Sequence, residues 1–185
     1  MDPWRPPVLE TERLVLRALN VADAEDVFAY ASDPAVARYV TWPTHRNVQD
    51  SLGFLRFVEQ AYADGDHFDW GIVLKRTNRV IGTCGFVRWT KIHHLAELGY
   101  ALGRAHWGQG ITTEAAAKVI QFGFQHLDLN RIEAYCKLQN IGSERVMQKV
   151  GMQLEGVARQ KMFVKGEYHD LKQYAILRQD WQDRL

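Results

Sequence analysis

Leu98-Gly99-Tyr100-Ala101-Leu102-Gly103-Arg104-Ala105-His106-Trp107-Gly108-Gln109-Gly110, running straight into Ile111-Thr112-Thr113-Glu114-Ala115-Ala116, decides the fold. An alternating apolar segment ends in a loop with two glycines, and that loop opens directly into a helical pattern. Gly108 and Gly110 remove side chains where the backbone turns or where a ligand would approach it. The first turn of a helix presents N–H groups with no intrahelical acceptor and the positive end of the helix dipole. Such a junction reads either as a tight turn or as a nest for a phosphate or pyrophosphate. It is neither a dinucleotide fingerprint nor a nucleoside-triphosphate loop, because it lacks Gly-x-Gly-x-x-Gly and a Gly-Lys-Thr/Ser ending.

Working outward, the segment Ala96–Leu102 is a strand and the helix runs from about Thr113 to Leu127, with Val119, Ile120 and Phe124 on its apolar side. Toward the N-terminus, Phe68–Leu74 and Arg79–Val87 form a hairpin around the turn at 75–78. The stretch Val48–Asp64 is an amphipathic helix, and Thr11–Leu19 is a strand with Leu14 and Leu16 on one face. A helix capped by Asn20 or Asp23 follows it to about Ser32. The segment Asp33–Pro43 has no clear period; its Tyr39 and Trp42 read equally as pocket wall or as a plug over the sheet. Residues 1–10 are proline-rich and extended. Toward the C-terminus come the strand Arg131–Lys137, a short helix Ile141–Val150 ended by Gly151, and two strands, Met152–Val157 and Tyr168–Leu177, around Gly166. This order predicts an α+β fold, a three-layer α/β/α sandwich around one mixed, mainly antiparallel sheet.

The chain has 185 residues, 46% hydrophobic and 24% charged, with a formal net charge of +1. One domain over 1–185 is expected, with its core at about 9–178. The near-neutral balance gives no electrostatic case for nucleic acid or an acidic membrane. There is no apolar run of spanning length, so a cytoplasmic protein is expected. Cys84 and Cys136 lie in apolar runs and read as buried free thiols. The adjacent His93 and His94 read as solvated loop residues, and no spacing suggests a metal.

The run Trp107-Gly108-Gln109-Gly110-Ile111-Thr112-Thr113-Glu114-Ala115 resembles the acetyl-CoA pyrophosphate loop of the GNAT superfamily of N-acetyltransferases. The similarity is strongest to its RimJ/RimL branch, the ribosomal-protein alanine acetyltransferases. Thr11–Arg17, Ala96–Tyr100, Asn140–Ser143 and Lys149–Met152 agree with that branch in order. The resemblance implies acetyl-CoA as cosubstrate, an amine acceptor and an N-acetyltransferase; a non-catalytic acyl-CoA-binding module is the alternative. It places the pyrophosphate on Gly108, Gln109, Gly110, Ile111, Thr112 and Thr113, and the pantetheine arm along the edge of the strand ending at Leu102. Asn140 and Ser143 are in the second cofactor motif, where each also reads as a helix cap. Trp107 stands where the family usually has Gln or Arg, and is expected to lose that polar contact. Met147 stands where many members have a proton-donating tyrosine, and a thioether has no proton to give.

The acetyl acceptor must be a neutral amine, so a base and a donor to the leaving sulfur are needed. Glu97 is the candidate base, directly or through a water, or alternatively a surface acid or a salt-bridge partner; Ser143 is the candidate donor that the resemblance implies. For the acceptor, Tyr39, Trp42 and Phe163 are candidate apolar walls, with His45, Glu167 and His169 as polar contacts. A protein N-terminus and a small amine remain equally open. A homodimer is expected from the branch alone.

Overall fold

The computed structural model describes residues 5–65 and 68–184. The first four residues of the expected extended start lie outside that range. Eight strands form one sheet: β1 Leu9–Glu10, β2 Leu14–Arg17, β3 Phe68–Leu74, β4 Arg79–Thr90, β5 Leu95–Leu102, β6 Arg131–Lys137, β7 Gln153–Val164 and β8 Glu167–Leu177. Their spatial order is β1-β2-β3-β4-β5-β6-β8-β7. All neighbours are antiparallel except β5 and β6. Parallel neighbours require a crossover, and here it is the helix between them.

The helices are α1 Ala24–Ala31, α2 Pro34–Ala37, α3 Val48–Asp64, α4 Ile111–His126, α5 Ile141–Lys149 and α6 Arg178–Gln182. They divide between the two faces of the sheet. One apolar cluster joins Trp70, Ile72, Phe86 and Leu98 of the strands to Ile111, Ala115, Val119 and Phe124 of α4 and Met147 of α5. The other joins Val73 and Val80 to Val27 and Tyr30 of α1 and Leu55, Val58 and Tyr62 of α3. Both faces of β3 are therefore covered, and every residue in it is buried. Trp70, Phe86 and Phe124 are almost wholly removed from water, each contributing about 1.5–3 kcal/mol by that burial. The expected three-layer α/β/α sandwich is the observed fold.

Five local expectations need correction. The first long strand spans Leu14–Arg17, not Thr11–Leu19. The helix α4 begins at Ile111, not Thr113, because Gly110 is left-handed (φ 74°) and acts as its N-cap. Part of the segment lacking a period is the single turn α2, started by Pro34 at N1 and by the Asp33 carboxylate accepting from Ala35 N–H at 2.8 Å. Strand β4 continues past Val87 to Thr90, and β7 continues past Val157 to Val164. In both strands the alternation is broken by a β-bulge: at Phe86/Arg88 in β4, and at Leu154/Gly156 and Ala158/Met162 in β7. A bulge resets the inward–outward phase, so a period-2 pattern stops where the strand does not.

Among the described residues no helix is long and apolar enough to cross a membrane, and no group of three His, Cys, Asp or Glu is placed to hold a metal. Cys84 and Cys136 are free and buried.

Candidate active site

Strands β5 and β6 pair only at Leu95↔Arg131, Ala96↔Ile132 and Glu97↔Glu133. Both then run on without pairing, β5 to Leu102 and β6 to Lys137. The sheet therefore opens into a V-shaped slot whose apex is Glu97 and Glu133. On its other side β5 stays paired with β4 as far as Gly82↔Leu102. The edge of β5 beyond Glu97 is thus a strand edge facing a gap, which suits an extended ligand with amide groups.

The Gly108–Thr113 loop lies after the end of β5. Gly108 and Gly110 have φ of 73° and 74°, a region that side chains other than glycine rarely adopt. A Cβ on Gly108 would meet nothing within 4 Å. Its glycine is required by the backbone conformation and not by crowding within the chain. The first bond of α4 runs from Glu114 N–H to Gly110 O at 3.0 Å, which leaves the amides of Ile111, Thr112 and Thr113 without an intrahelical acceptor.

The loop is braced from the turn between β1 and β2. Glu114 accepts from Thr11 Oγ1 at 2.5 Å, from Arg13 N–H at 3.0 Å and from Arg13 Nε at 2.6 Å. Arg13 Nη1 also donates to Gln109 O at 2.9 Å. Although partial burial alone would push the Glu114 carboxyl up, these donors hold it below the ordinary glutamate range. Gln109 turns its side chain away, donating to Ala105 O at 2.9 Å. Its part in an anion nest falls to the backbone.

Trp107 makes a polar contact of a different kind, within the chain. Its indole N–H donates to Leu102 O at 2.8 Å and ties the loop to the end of β5. Leu102 thereby commits one lone pair of its carbonyl within the chain.

Across the slot, Asn140 caps α5 by accepting from Ser143 N–H at 3.2 Å. The Ser143 hydroxyl lies 2.8 Å from the hydroxyl of Tyr100, which is also 3.1 Å from Ser143 O. Tyr100 therefore bridges β5 and α5, and burial pushes its phenol well above the usual range. Met147, further along α5, is fully buried in the core. The role of Tyr100 was not read from the sequence, where it is one of several apolar strand residues; only the fold brings it to α5.

Glu97 and Tyr100 project to opposite faces of β5. On its face, Glu97 borders a pocket of about 360 Å³ together with Arg88, Leu95, Glu133, Tyr135, Lys161 and Phe163. The Glu97 side chain is 26% exposed, and Arg88 Nε lies 4.0 Å from Oε2. Burial raises the Glu97 pKa; Glu133 adds to the rise, while Arg88 and Lys161 oppose it. Glu133 is satisfied separately, by Arg131 Nε at 2.8 Å and Tyr135 OH at 3.0 Å. Glu97 is thus the pocket carboxylate with the looser partner.

The expected acceptor walls are not all together. Phe163 borders the pocket and packs against Tyr168 with the rings tilted, centroids 4.8 Å apart. Tyr39 OH donates to Gln139 O at 3.4 Å. Trp42 packs on the α1–α3 cluster and on His45, centroids 5.5 Å apart. His45 is bound to Ser51 Oγ at 2.9 Å, and His169 Nε2 lies 3.2 Å from Lys137 Nζ. Glu167 is exposed at the start of β8. The β7–β8 turn does reach the Tyr39 segment: Lys165 Nζ donates to Ala37 O and, at 3.2 Å, to Val40 O.

Residues 13–153 match the family described as the acetyltransferase (GNAT) domain. The chain belongs to the GNAT acetyltransferase family. It is 36% identical over 172 residues to the uncharacterized N-acetyltransferase YoaA of Bacillus subtilis (strain 168), covering 93% of this chain and 97% of that protein. It is 35% identical over 173 residues to the uncharacterized N-acetyltransferase p20 of Bacillus licheniformis, covering 94% and 97%. A crystal structure of a GNAT-family acetyltransferase from Bacillus anthracis superimposes with a TM-score of 0.83 at 28% identity, over 94% of this chain and 99% of that one. This GNAT protein is an acetyltransferase enzyme that uses acetyl-CoA as cosubstrate, and the non-catalytic binding module is set aside. The slot fits that cosubstrate: it offers an unpaired strand edge for a pantetheine arm and a nest of amides at a helix N-terminus for a pyrophosphate.

Proposed function

We propose that the acetyl acceptor is a small primary amine, bound in the pocket beside Glu97, and that it attacks the thioester through the slot between β5 and β6. The observation that carries this reading is the position of Glu97, at the apex of the slot and on the wall of the pocket. The thioester supplies an activated acetyl carbon. The amine nitrogen forms a bond to that carbon, the carbon–sulfur bond breaks, one proton leaves the nitrogen and one reaches the sulfur. Glu97 takes the first proton from the pocket face. Ser143, on the opposite side of β5, gives the second, and Tyr100 is the positioning residue that orients its hydroxyl. Backbone groups from Leu102 and from Gly108 to Thr113 hold the cofactor, with Asn140 shaping the turn that presents Ser143.

The RimJ/RimL-like segments bring a protein N-terminus into consideration as acceptor. The modest pocket volume and the β7–β8 turn latched onto the end of α2 and the residues after it support a small amine instead. Acetyl transfer measured against peptides and small amines separates the two. Turnover of peptides alone would reject the small-amine reading. A homodimer belongs to the same proposal, and light scattering that gives the mass of one chain would remove it.

Ser143→Ala is expected to lower kcat about 10²-fold while acetyl-CoA affinity stays within threefold. Tyr100→Phe is expected to lower kcat in the same direction with KM little changed; a loss of stability with kcat intact would make Tyr100 purely structural. Asn140→Ala removes a cap and is expected to cost about 1 kcal/mol, read as a lower Tm. A selective loss of acetyl-CoA affinity at unchanged Tm would assign Asn140 to the cofactor instead.

A further inference from the structure

Two cations in the acceptor pocket take no part in the proton transfers above. Two basic side chains near this pocket are spent on carboxylates. Arg131 is held by Glu133 at 2.8 Å and by Glu155, and Lys172 by Glu144 at 2.7 Å. Arg88 and Lys161 differ. Among the described residues Arg88 meets only the carboxylate of Glu97, at a loose 4.0 Å, with its side chain 73% exposed. Among the described residues Lys161 has no ion pair; its ammonium lies over the Tyr135 ring, 5.8 Å from the centroid.

Both owe their place to a bulge. Arg88 follows the register shift at Phe86, which sets it directly across from Glu97. Lys161 lies within the shift between Ala158 and Met162 of β7, where three residues, 159–161, stand opposite Asp170 alone. Asp170 Oδ1 pins that bulge by accepting from Gln160 N–H at 2.8 Å. Bulges next to sites commonly re-aim a side chain, and here two of them deliver unspent positive charge to one pocket.

Resting on the assignment of this pocket to the acceptor, we propose that the acceptor is a free α-amino acid, or an amine with a carboxylate equally close to its nitrogen, bearing an apolar side chain. Glu97 and Arg88 stand side by side with opposite charges, the complement of an amine and a carboxylate that share one carbon. Lys161 supplies the second positive charge on the opposite wall. Leu95, Phe163 and Leu171 offer the apolar surface for the side chain. A peptide N-terminus has an amide where this site provides for a charge. The transfer yields an N-acetyl amino acid and a free thiol, with no further reactant.

The test compares L-leucine, L-methionine and L-phenylalanine with their C-terminal amides, and with tripeptides beginning with the same residues, in the full chain with acetyl-CoA. Amidation lowers the pKa of the amine, so a site blind to the carboxylate would favour the amide. The expected result is a kcat/KM for the free acid about tenfold or more above that for its amide. In Lys161→Gln and in Arg88→Gln that ratio should fall about tenfold. The ratio cancels any change these substitutions make to Glu97, because both acceptors use it. An amide preferred over the acid, an unchanged ratio in both variants, or no turnover of any of these amino acids would overturn the carboxylate assignment. The broader reading fails separately, if neutral small amines and amino acids alike go unacetylated while peptides are turned over.

Discussion

Replacing Glu97 with glutamine is expected to lower kcat/KM for acetyl transfer by about 10²–10⁴-fold, the span typical of a general base, with the chain still folded and acetyl-CoA still bound. The substitution keeps the shape and removes the proton acceptor. Its pH dependence is the sharper signature. Burial, with Glu133 behind it, raises the Glu97 carboxyl, while Arg88 and Lys161 pull it down. The base is active when deprotonated, so in the unmodified protein kcat/KM rises with pH through an apparent pKa above the ordinary glutamate value of 4.5. The groups facing Glu97 are Arg88 on β4, Glu133 and Tyr135 on β6, and Lys161 on β7. In Glu97→Gln this acid limb should vanish, leaving only the ionisation of the acceptor amine. A rate within threefold of the original with the limb intact would remove Glu97 from the chemistry.

Gly110→Val is expected to weaken acetyl-CoA binding about ten- to hundredfold, from about 1–3 kcal/mol of backbone strain. Gly110 has φ of 74°, and a β-branched residue is strongly disfavoured there. The built Cβ would sit 3.6 Å from Arg13 Nη2, an ordinary contact, so crowding is not the cause. Relief of the strain would rotate the amides of the α4 N-terminus away from the nest. The fold should survive, because the residue is exposed and the apolar face of α4 is untouched. Unchanged affinity by calorimetry would show that the pyrophosphate is not held at this loop.

The fold was legible where one periodicity ran unbroken. Strands β3 and β6 and helix α3 have the expected limits, each having a single uninterrupted pattern with clear turn residues beside it. The geometry of the loop proposed for the cofactor was legible because it is local: two left-handed glycines and a helix start are contiguous in sequence. The pocket proposed for the acceptor was not. Arg88 and Lys161 lie in the parts of β4 and β7 that follow a broken alternation, and the pattern is lost at the same bulges that aim them. Places where local rules fail tend to be functional. Trp107 and Tyr100 were missed for another reason: their partners, Leu102 O and Ser143, are set by loop geometry and by contact across the slot. Residue type alone reports neither. Among the aromatics, Trp42 joined the α1–α3 cluster instead of the pocket because α2 and α3 bring it there.

The most direct test of the central claim is a structure of the chain with coenzyme A. The account predicts the pyrophosphate on the amides at the start of α4, the pantetheine arm along β5 beyond Glu97, and the sulfur between Glu97 on one side and Ser143 on the other. A coenzyme lying elsewhere, or a sulfur out of reach of both residues, would contradict it.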